Sequence, residues 1–422
     1  MRMWNFLKKT HKPRLMAFEF LRYIGPGFLV TVGFIDPGNW ASNVSAGSYY
    51  GYELLWIITL STVMLIILQH NAAHLGISTG YCLSEATAMY INPVVARVIL
   101  ASAMLAAVST ALAEIVGAGI ALHMLFGLPV KVGAVMVVAL VSWLLYSNSY
   151  KKIERLIIGF VSLIGISFVF ELSLVHIDWN KAALSWVMPR VPSGALPIVM
   201  SLMGAVVMPH NMYLHSEVIQ SRQWNLKDEE TIRHQLKYEF MDTLFSMVAG
   251  WAINSAMILL AASTFFARGV KVTALDQAQE TLRPLLGDMA LVVFALALLL
   301  SGISSSVTAG MAGGSIFAGL YREPYNIYDR HTKVGVGITF ALAAAVAFLI
   351  KNPFSGLIVS QLFLSVQLPL TVFTQIYLTS SQRVMGKYAN SALDKILLWT
   401  VGSIVTYFNV MLLIDTLRSL FV

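Results

Sequence analysis

Apolar residues run in unbroken stretches along nearly the whole chain, and polar residues are confined to short gaps between them. A helix needs about 20 mainly apolar residues to cross a bilayer. Eleven stretches qualify, near residues 23–49, 52–76, 93–126, 128–147, 153–176, 195–221, 236–264, 287–319, 333–350, 354–379 and 394–420. No polar interval is long enough for a soluble domain, so residues 1–422 are expected to form a single all-α polytopic membrane unit.

Two of the stretches are interrupted in their middle. "GFIDPGNWASN" puts Asp36, Pro37, Gly38 and Asn39 inside the first, and "GAVVMPHNMYLHS" puts Met208, Pro209, His210 and Asn211 inside the sixth. Neither half of either stretch reaches across alone. Matching interruptions five spans apart point to an inverted repeat with its binding site at the midplane. The predicted arrangement is five plus five: repeat one over about 20–176, repeat two over about 195–379, and an appended helix at 394–420.

Proline has no N–H and its ring displaces the carbonyl four residues earlier, so Pro37 frees the carbonyl of Gly33 and Pro209 that of Ala205. Non-helical backbone at this depth is tolerated where it is buried in protein or lines a cavity. A freed carbonyl at Ala205, the carboxylate of Asp36, the amide oxygen of Asn39 and the thioether of Met208 make a candidate cation site. Oxygen ligands alone would suit Mg²⁺, Ca²⁺ or Na⁺. A thioether adds affinity for softer transition metals, which favours Mn²⁺, Fe²⁺, Co²⁺ and Cd²⁺.

Composition sharpens this picture. The chain is 57% hydrophobic and 12% charged, about half the charge of an ordinary globular domain. Its net charge of +7 does not indicate nucleic acid, because the cations follow the membrane. With the N-terminus inside, nineteen Lys and Arg fall in inner segments and eight in outer ones. That bias predicts a cytoplasmic N-terminus and an extracellular C-terminus. The single cysteine, Cys82, permits neither an intrachain disulfide nor a cysteine cage for a metal. The basic N-terminus runs straight into the first span and shows no removable signal peptide. No P-loop, dinucleotide fingerprint or nucleophile–base pair is present, so neither ATP drive nor catalysis is expected.

Several other polar residues stand in apolar surroundings. Glu114, in the middle of the third span, is a functional candidate because intramembrane carboxylates are costly. His210 and His215 could carry protons or bridge helices. His70 and His74, at i and i+4, could clamp a metal but lie where polar side chains simply reach the headgroups. Glu171, near the outer end of the fifth span, is expected to be interfacial or paired. Small residues from Ser301 to Gly314 favour close helix packing, with hydroxyls turned to a cavity as the lesser alternative.

At its two interruptions the sequence resembles the natural resistance-associated macrophage protein (NRAMP) family of divalent metal transporters. "GPGFLVTVGFIDPGNWASNVSAGSYYGYELLW" is similar to the family's first-span signature, and "GAVVMPHNMYLHSEVIQSR" to its sixth-span signature. "LIVSQLFLSVQLPL" with "TSSQRVMGKYANS" resembles the tenth span and the loop after it. The resemblance implies a LeuT-like fold of eleven helices and metal ligands at Asp36, Asn39, Ala205 (carbonyl) and Met208. It also implies that Gln361 approaches the metal, and that His210, His215 and Arg222 take part in proton movement.

The chain departs from the family pattern in its third span. "TALAE" places Ala111 where an aspartate is usual, with Glu114 retained, and Met104 stands where many members carry a glutamate. A proton relay needs titrating groups along its path. Glu217, seven residues beyond His210 on the same helix face, is a candidate replacement; the alternative is a carboxylate facing the inner vestibule.

The resulting expectation is a secondary transporter importing Mn²⁺ and similar dications across the plasma membrane by alternating access, coupled to protons and working as a monomer. The metal would be cargo, with no resident cofactor. The alternatives are a divalent-metal facilitator without tight proton coupling, accepting Mg²⁺ as well, a sodium-coupled organic-solute symporter, and a metal sensor that moves nothing. In the symporter Asp36 would repel a substrate carboxylate and Met208 would have no task.

Overall fold

A computed structural model describes Thr31, Gly33 and residues 35–147, 150–220 and 229–421. Ten apolar segments among them are long enough to cross a membrane. They fall within α2 (Leu55–Thr79), α4 (Pro93–Phe126), α5 (Val130–Ser147), α6 (Tyr150–Ser173), the pair α8 (Leu196–Val206) and α9 (Pro209–Gln220), α10 (Glu229–Thr264), α11 (Leu275–Leu320), α12 (Arg330–Leu349), α13 (Pro353–Ser380) and α15 (Ala392–Phe421). The remaining predicted span is represented by its second half, α1 (Pro37–Tyr50); most of its first half lies outside the described residues. Two short connecting helices, α3 (Leu83–Tyr90) and α7 (Trp179–Val187), lie between spans, as does the single turn α14 (Gln382–Met385).

The same local device starts several helices. Asp36, Asn92 and Asn352 are N-caps whose side chains accept a backbone N–H of the first turn, and each is followed by a proline at the first helical position. A proline there loses nothing, because that N–H has no intrahelical partner anyway. Pro369 is different, since it lies inside α13 and frees the carbonyl of Ser365. The Asn409 amide of α15 donates to that carbonyl at 3.1 Å. The eleventh helix thus repairs a defect in the tenth.

Between lipid-embedded helices close packing replaces the hydrophobic effect, so small residues mark the contacts. A Cβ added at Gly302 of α11 would stand 2.7 Å from the Ala118 Cβ of α4 and 3.0 Å from the Glu114 carbonyl oxygen. These two helices share the most extensive helix–helix contact of the bundle, and further along the small-residue stretch of α11, Gly310 and Gly313 bring it against Phe340 and Thr339 of α12. By contrast α5, α6 and α15 turn apolar side chains such as Trp143, Val169 and Leu413 outward. Exposed residues of that kind suit contact with lipid.

Candidate metal centre

The two interruptions meet. α8 ends at Val206 and α9 begins at Pro209, leaving Val207 and Met208 outside regular helix. The freed carbonyl of Ala205 accepts a hydrogen bond from Asn39 Nδ2 at 2.9 Å, which joins the break in the sixth span directly to that in the first. Asp36 caps α1: one carboxylate oxygen accepts the Asn39 backbone N–H at 2.5 Å.

What remains at the junction is a set of acceptors with nothing to accept. Asp36 Oδ2, Asn39 Oδ1 and Gln361 Oε1 are buried and have no hydrogen-bond partner. Asp36, Asn39, Met208 and Gln361 are fully buried. An unpaired buried acceptor costs about 1–3 kcal/mol, so several of them around one junction require compensation. A bound cation would supply it. The Ala205 carbonyl keeps a second lone pair for the same purpose, and Met208 brings the one soft donor among these candidates.

Gly38 and Gly204 let the parts approach. A Cβ at Gly38 would stand 1.8 Å from Gln361 Nε2, and one at Gly204 would stand 2.1 Å from the Gln361 carbonyl oxygen. Gln361, expected near the metal, is therefore pressed against both broken spans. Asn211 also belongs here, since its Nδ2 lies 3.5 Å from the Met208 sulfur while its Oδ1 is unpartnered.

A second group of residues backs the first. The Asp36 and Glu114 carboxyl groups are neighbours, and each keeps one oxygen, Asp36 Oδ2 and Glu114 Oε1, without a hydrogen-bond partner; a proton on either could bridge them. Glu114 accepts from the Ser305 hydroxyl. Ser301, one turn earlier on α11, donates to the Ile35 carbonyl at 2.6 Å and so satisfies backbone at the first break. Ser301 and Ser305 thus turn their hydroxyls to protein groups at the first break and the third span rather than to a cavity, and neither stands out within its run of small residues. His210 packs against α4, its Nδ1 3.3 Å from the Thr110 hydroxyl and its Nε2 unpartnered.

The other candidates lie apart from this centre. His215 bonds Gln69 of α2 through Nδ1 at 3.0 Å. The carboxylate of Glu217 accepts from Ser315 and from the Tyr325 backbone N–H, away from Asp36 and Glu114. Arg222 lies outside the described residues. His70 pairs with Glu239 at 2.5 Å, and its ring stacks on His74 with centroids 6.4 Å apart. Glu171 is neither interfacial nor paired: it is 1% exposed and both carboxylate oxygens lack a partner. It lies one turn beyond Phe168, which packs on Trp40, so the helix turns it inward rather than to the headgroups.

Residues 27–415 match the natural resistance-associated macrophage protein-like family. The chain belongs to that family. Among this Nramp protein's relatives, the divalent metal cation transporter MntH of Caldanaerobacter subterraneus subsp. tengcongensis is 36% identical over 95% of this chain and 94% of its own. A crystal structure of a variant of the Eremococcus coleocola manganese transporter superposes with a TM-score of 0.85 at 25% identity, covering 98% of this chain and 91% of that one. Mhp1, a nucleobase-cation-symport-1 transporter, shares the fold at a TM-score of 0.64 and 14% identity, covering 92% and 91% of the two chains. The Nramp chain thus has the LeuT-like five-plus-five architecture that its paired interruptions predict.

Proposed function

We propose that this protein is a secondary transporter that carries Mn²⁺ and related transition-metal dications into the cell by alternating access. The observation that carries the proposal is the convergence of unpartnered acceptors at the meeting point of two broken helices. The relatives named as divalent metal cation and manganese transporters support the same cargo. In this reading Asp36, Asn39 Oδ1, the Ala205 carbonyl and Met208 hold the metal, and the Gln361 oxygen joins them. Met208 biases the site toward soft dications over Mg²⁺ and Ca²⁺. The chain sits in the plasma membrane with its N-terminus cytoplasmic and its C-terminus outside, as the distribution of Lys and Arg indicates.

Proton coupling begins at the Asp36–Glu114 pair. A dication binding Asp36 would compete with a proton held between the two neighbouring carboxyl groups. Glu114 then holds that proton or passes it on, with His210 close by on the Thr110 side of α4. A second reading, metal movement without tight coupling, draws on the third span itself. Ala111 is fully buried and packed among apolar side chains, and Met104 packs on another apolar cluster. Neither can relay a proton.

Proteoliposomes separate the readings. Mn²⁺ entry accompanied by acidification of the lumen supports coupled transport; Mn²⁺ entry without it supports the facilitator; no Mn²⁺ entry refutes both. Anomalous scattering from a Mn²⁺-soaked crystal tests the ligands, and a peak remote from Asp36 and Met208 would reject them.

A further inference from the structure

Glu217 is a buried carboxylate for which metal binding has no use. It lies on α9, seven residues from His210, about 10 Å along the helix axis. It is 8% exposed and reaches two separate elements. Its Oε2 accepts from the Ser315 hydroxyl of α11 at 3.0 Å, and its Oε1 accepts the Tyr325 backbone N–H, beyond the end of α11, also at 3.0 Å.

Its neighbours extend the same seam. The Ser216 hydroxyl accepts the Leu83 backbone N–H at 2.9 Å, and the Ser84 hydroxyl donates to the Ser315 carbonyl at 3.1 Å. The backbones are in contact as well: a Cβ at Gly76 of α2 would stand 2.6 Å from the Ser216 carbonyl oxygen, and one at Gly319 of α11 would stand 2.1 Å from Ser84 Oγ. The seam thus joins a half-helix that starts at a break, α9, to a continuous 46-residue helix, α11, and to the connection between α2 and α3. Helix α11 also holds the first break through Ser301. A half-helix can swing about its break, whereas a continuous helix packed along α4 cannot follow it. Glu217 lies at the end of α9 far from that break, where a swing is largest.

We propose that Glu217 is the latch of the inner gate: its two hydrogen bonds hold α9 against α11 and the residues after it, and cargo leaves inward only when they part. This rests on the transport reading and on the orientation given above. Ligand atoms of Cys82, Glu85 and Glu217 lie within 4.8 Å of one another, close enough to hold a metal. They are already engaged, however. Glu85 accepts the Cys82 backbone N–H at 2.8 Å, Cys82 Sγ lies 3.0 Å from the Ser84 hydroxyl, and Glu217 has the partners given above. The cluster is a lock rather than a metal cage. Burial, then the charges of Glu217 and Glu85, pushes the Cys82 thiol well above its ordinary range. The thiol is fully buried and unreactive while the seam is closed.

Cys82 is the chain's single cysteine, so its alkylation reports the gate without engineering. The test compares wild type, Glu217→Ala and Ser315→Ala in inside-out and right-side-out vesicles. An impermeant maleimide is the probe, and melting temperature is followed alongside. The expected result is labelling about tenfold faster or more in both variants, from the inner side only, with the melting temperature unchanged. A rise in the outer Mn²⁺ concentration needed for half-maximal uptake should accompany it, because the outward-facing state is depopulated. Equal labelling rates in wild type and variants would overturn the latch, as would acceleration equal from both sides. If Glu217→Ala does not fold, Ser315→Ala alone decides. Absence of Mn²⁺ uptake in wild type would defeat the transport reading, yet labelling would still report whether the latch exists.

Discussion

Replacing Gly38 by alanine isolates the contact between the first break and the tenth helix. The added Cβ would stand 1.8 Å from Gln361 Nε2, 2.5 Å from its Cδ and 2.9 Å from its Cγ. Ordinary carbon contacts begin near about 3.5 Å, so no small adjustment suffices and the whole side chain must leave. Overpacking of this kind costs about 1–3 kcal/mol. At about 1.4 kcal/mol per tenfold, Mn²⁺ affinity should fall by roughly five- to 150-fold. Gln361→Ala removes the obstacle, and with it one oxygen ligand. In the double variant Gly38→Ala/Gln361→Ala the clash is absent, so its affinity should match that of Gln361→Ala alone. Calorimetric Mn²⁺ titration of purified protein gives all four corners of the cycle. Simple additivity, with Gly38→Ala costing as much without Gln361 as with it, would show that the glycine serves the backbone of the break and that Gln361 does not press on the site.

Four further substitutions probe the remaining claims. Asp36→Ala should abolish Mn²⁺ uptake in proteoliposomes, since it removes the one carboxylate among the proposed ligands. Met208→Ala should leave Mn²⁺ uptake measurable but let Ca²⁺ or Mg²⁺ compete with it; selectivity identical to wild type would show that the thioether is not the filter. Glu114→Gln keeps the shape of the side chain that meets Asp36 and Ser305 but removes its titrating group. Mn²⁺ uptake should persist while Mn²⁺-dependent lumenal acidification falls, read with a pH-sensitive dye. Asn409→Leu strips the Ser365 carbonyl of its donor and should lower stability by about 1 kcal/mol, read as a lower melting temperature in detergent.

The breaks were legible in the sequence because nothing else explains an aspartate, two prolines and two asparagines inside membrane-length apolar runs. Pro209 and Ala205 could be paired by counting alone, since a proline frees the carbonyl four residues back; the structure adds that Asn39 takes it up. Gln361 could be found only through family resemblance, because a lone glutamine in a tenth span carries no spacing signal. Ser301 and Ser305 were hidden in plain view. In a run of small residues, the hydroxyls that serve a site look the same as those that merely allow helices to approach. The face-sharing of Glu217 with His210 was correctly counted, yet two helical turns carry it from the third span to the inner end of α11. Glu171 shows the opposite limit, because its inward turn depends on how α6 rotates against Trp40, and its own neighbours in sequence do not set that rotation.

The bond from Asn409 to the Ser365 carbonyl bears on biogenesis. Until α15 enters the membrane, the defect at Pro369 presents a bare carbonyl to hydrocarbon on the flank of the tenth span. A nascent chain halted before that point would therefore hold a finished inverted repeat with an unhealed seam. The segment that closes it leaves the ribosome after the ten spans it completes, so quality-control proteases have a chemical reason to discriminate between products with and without α15.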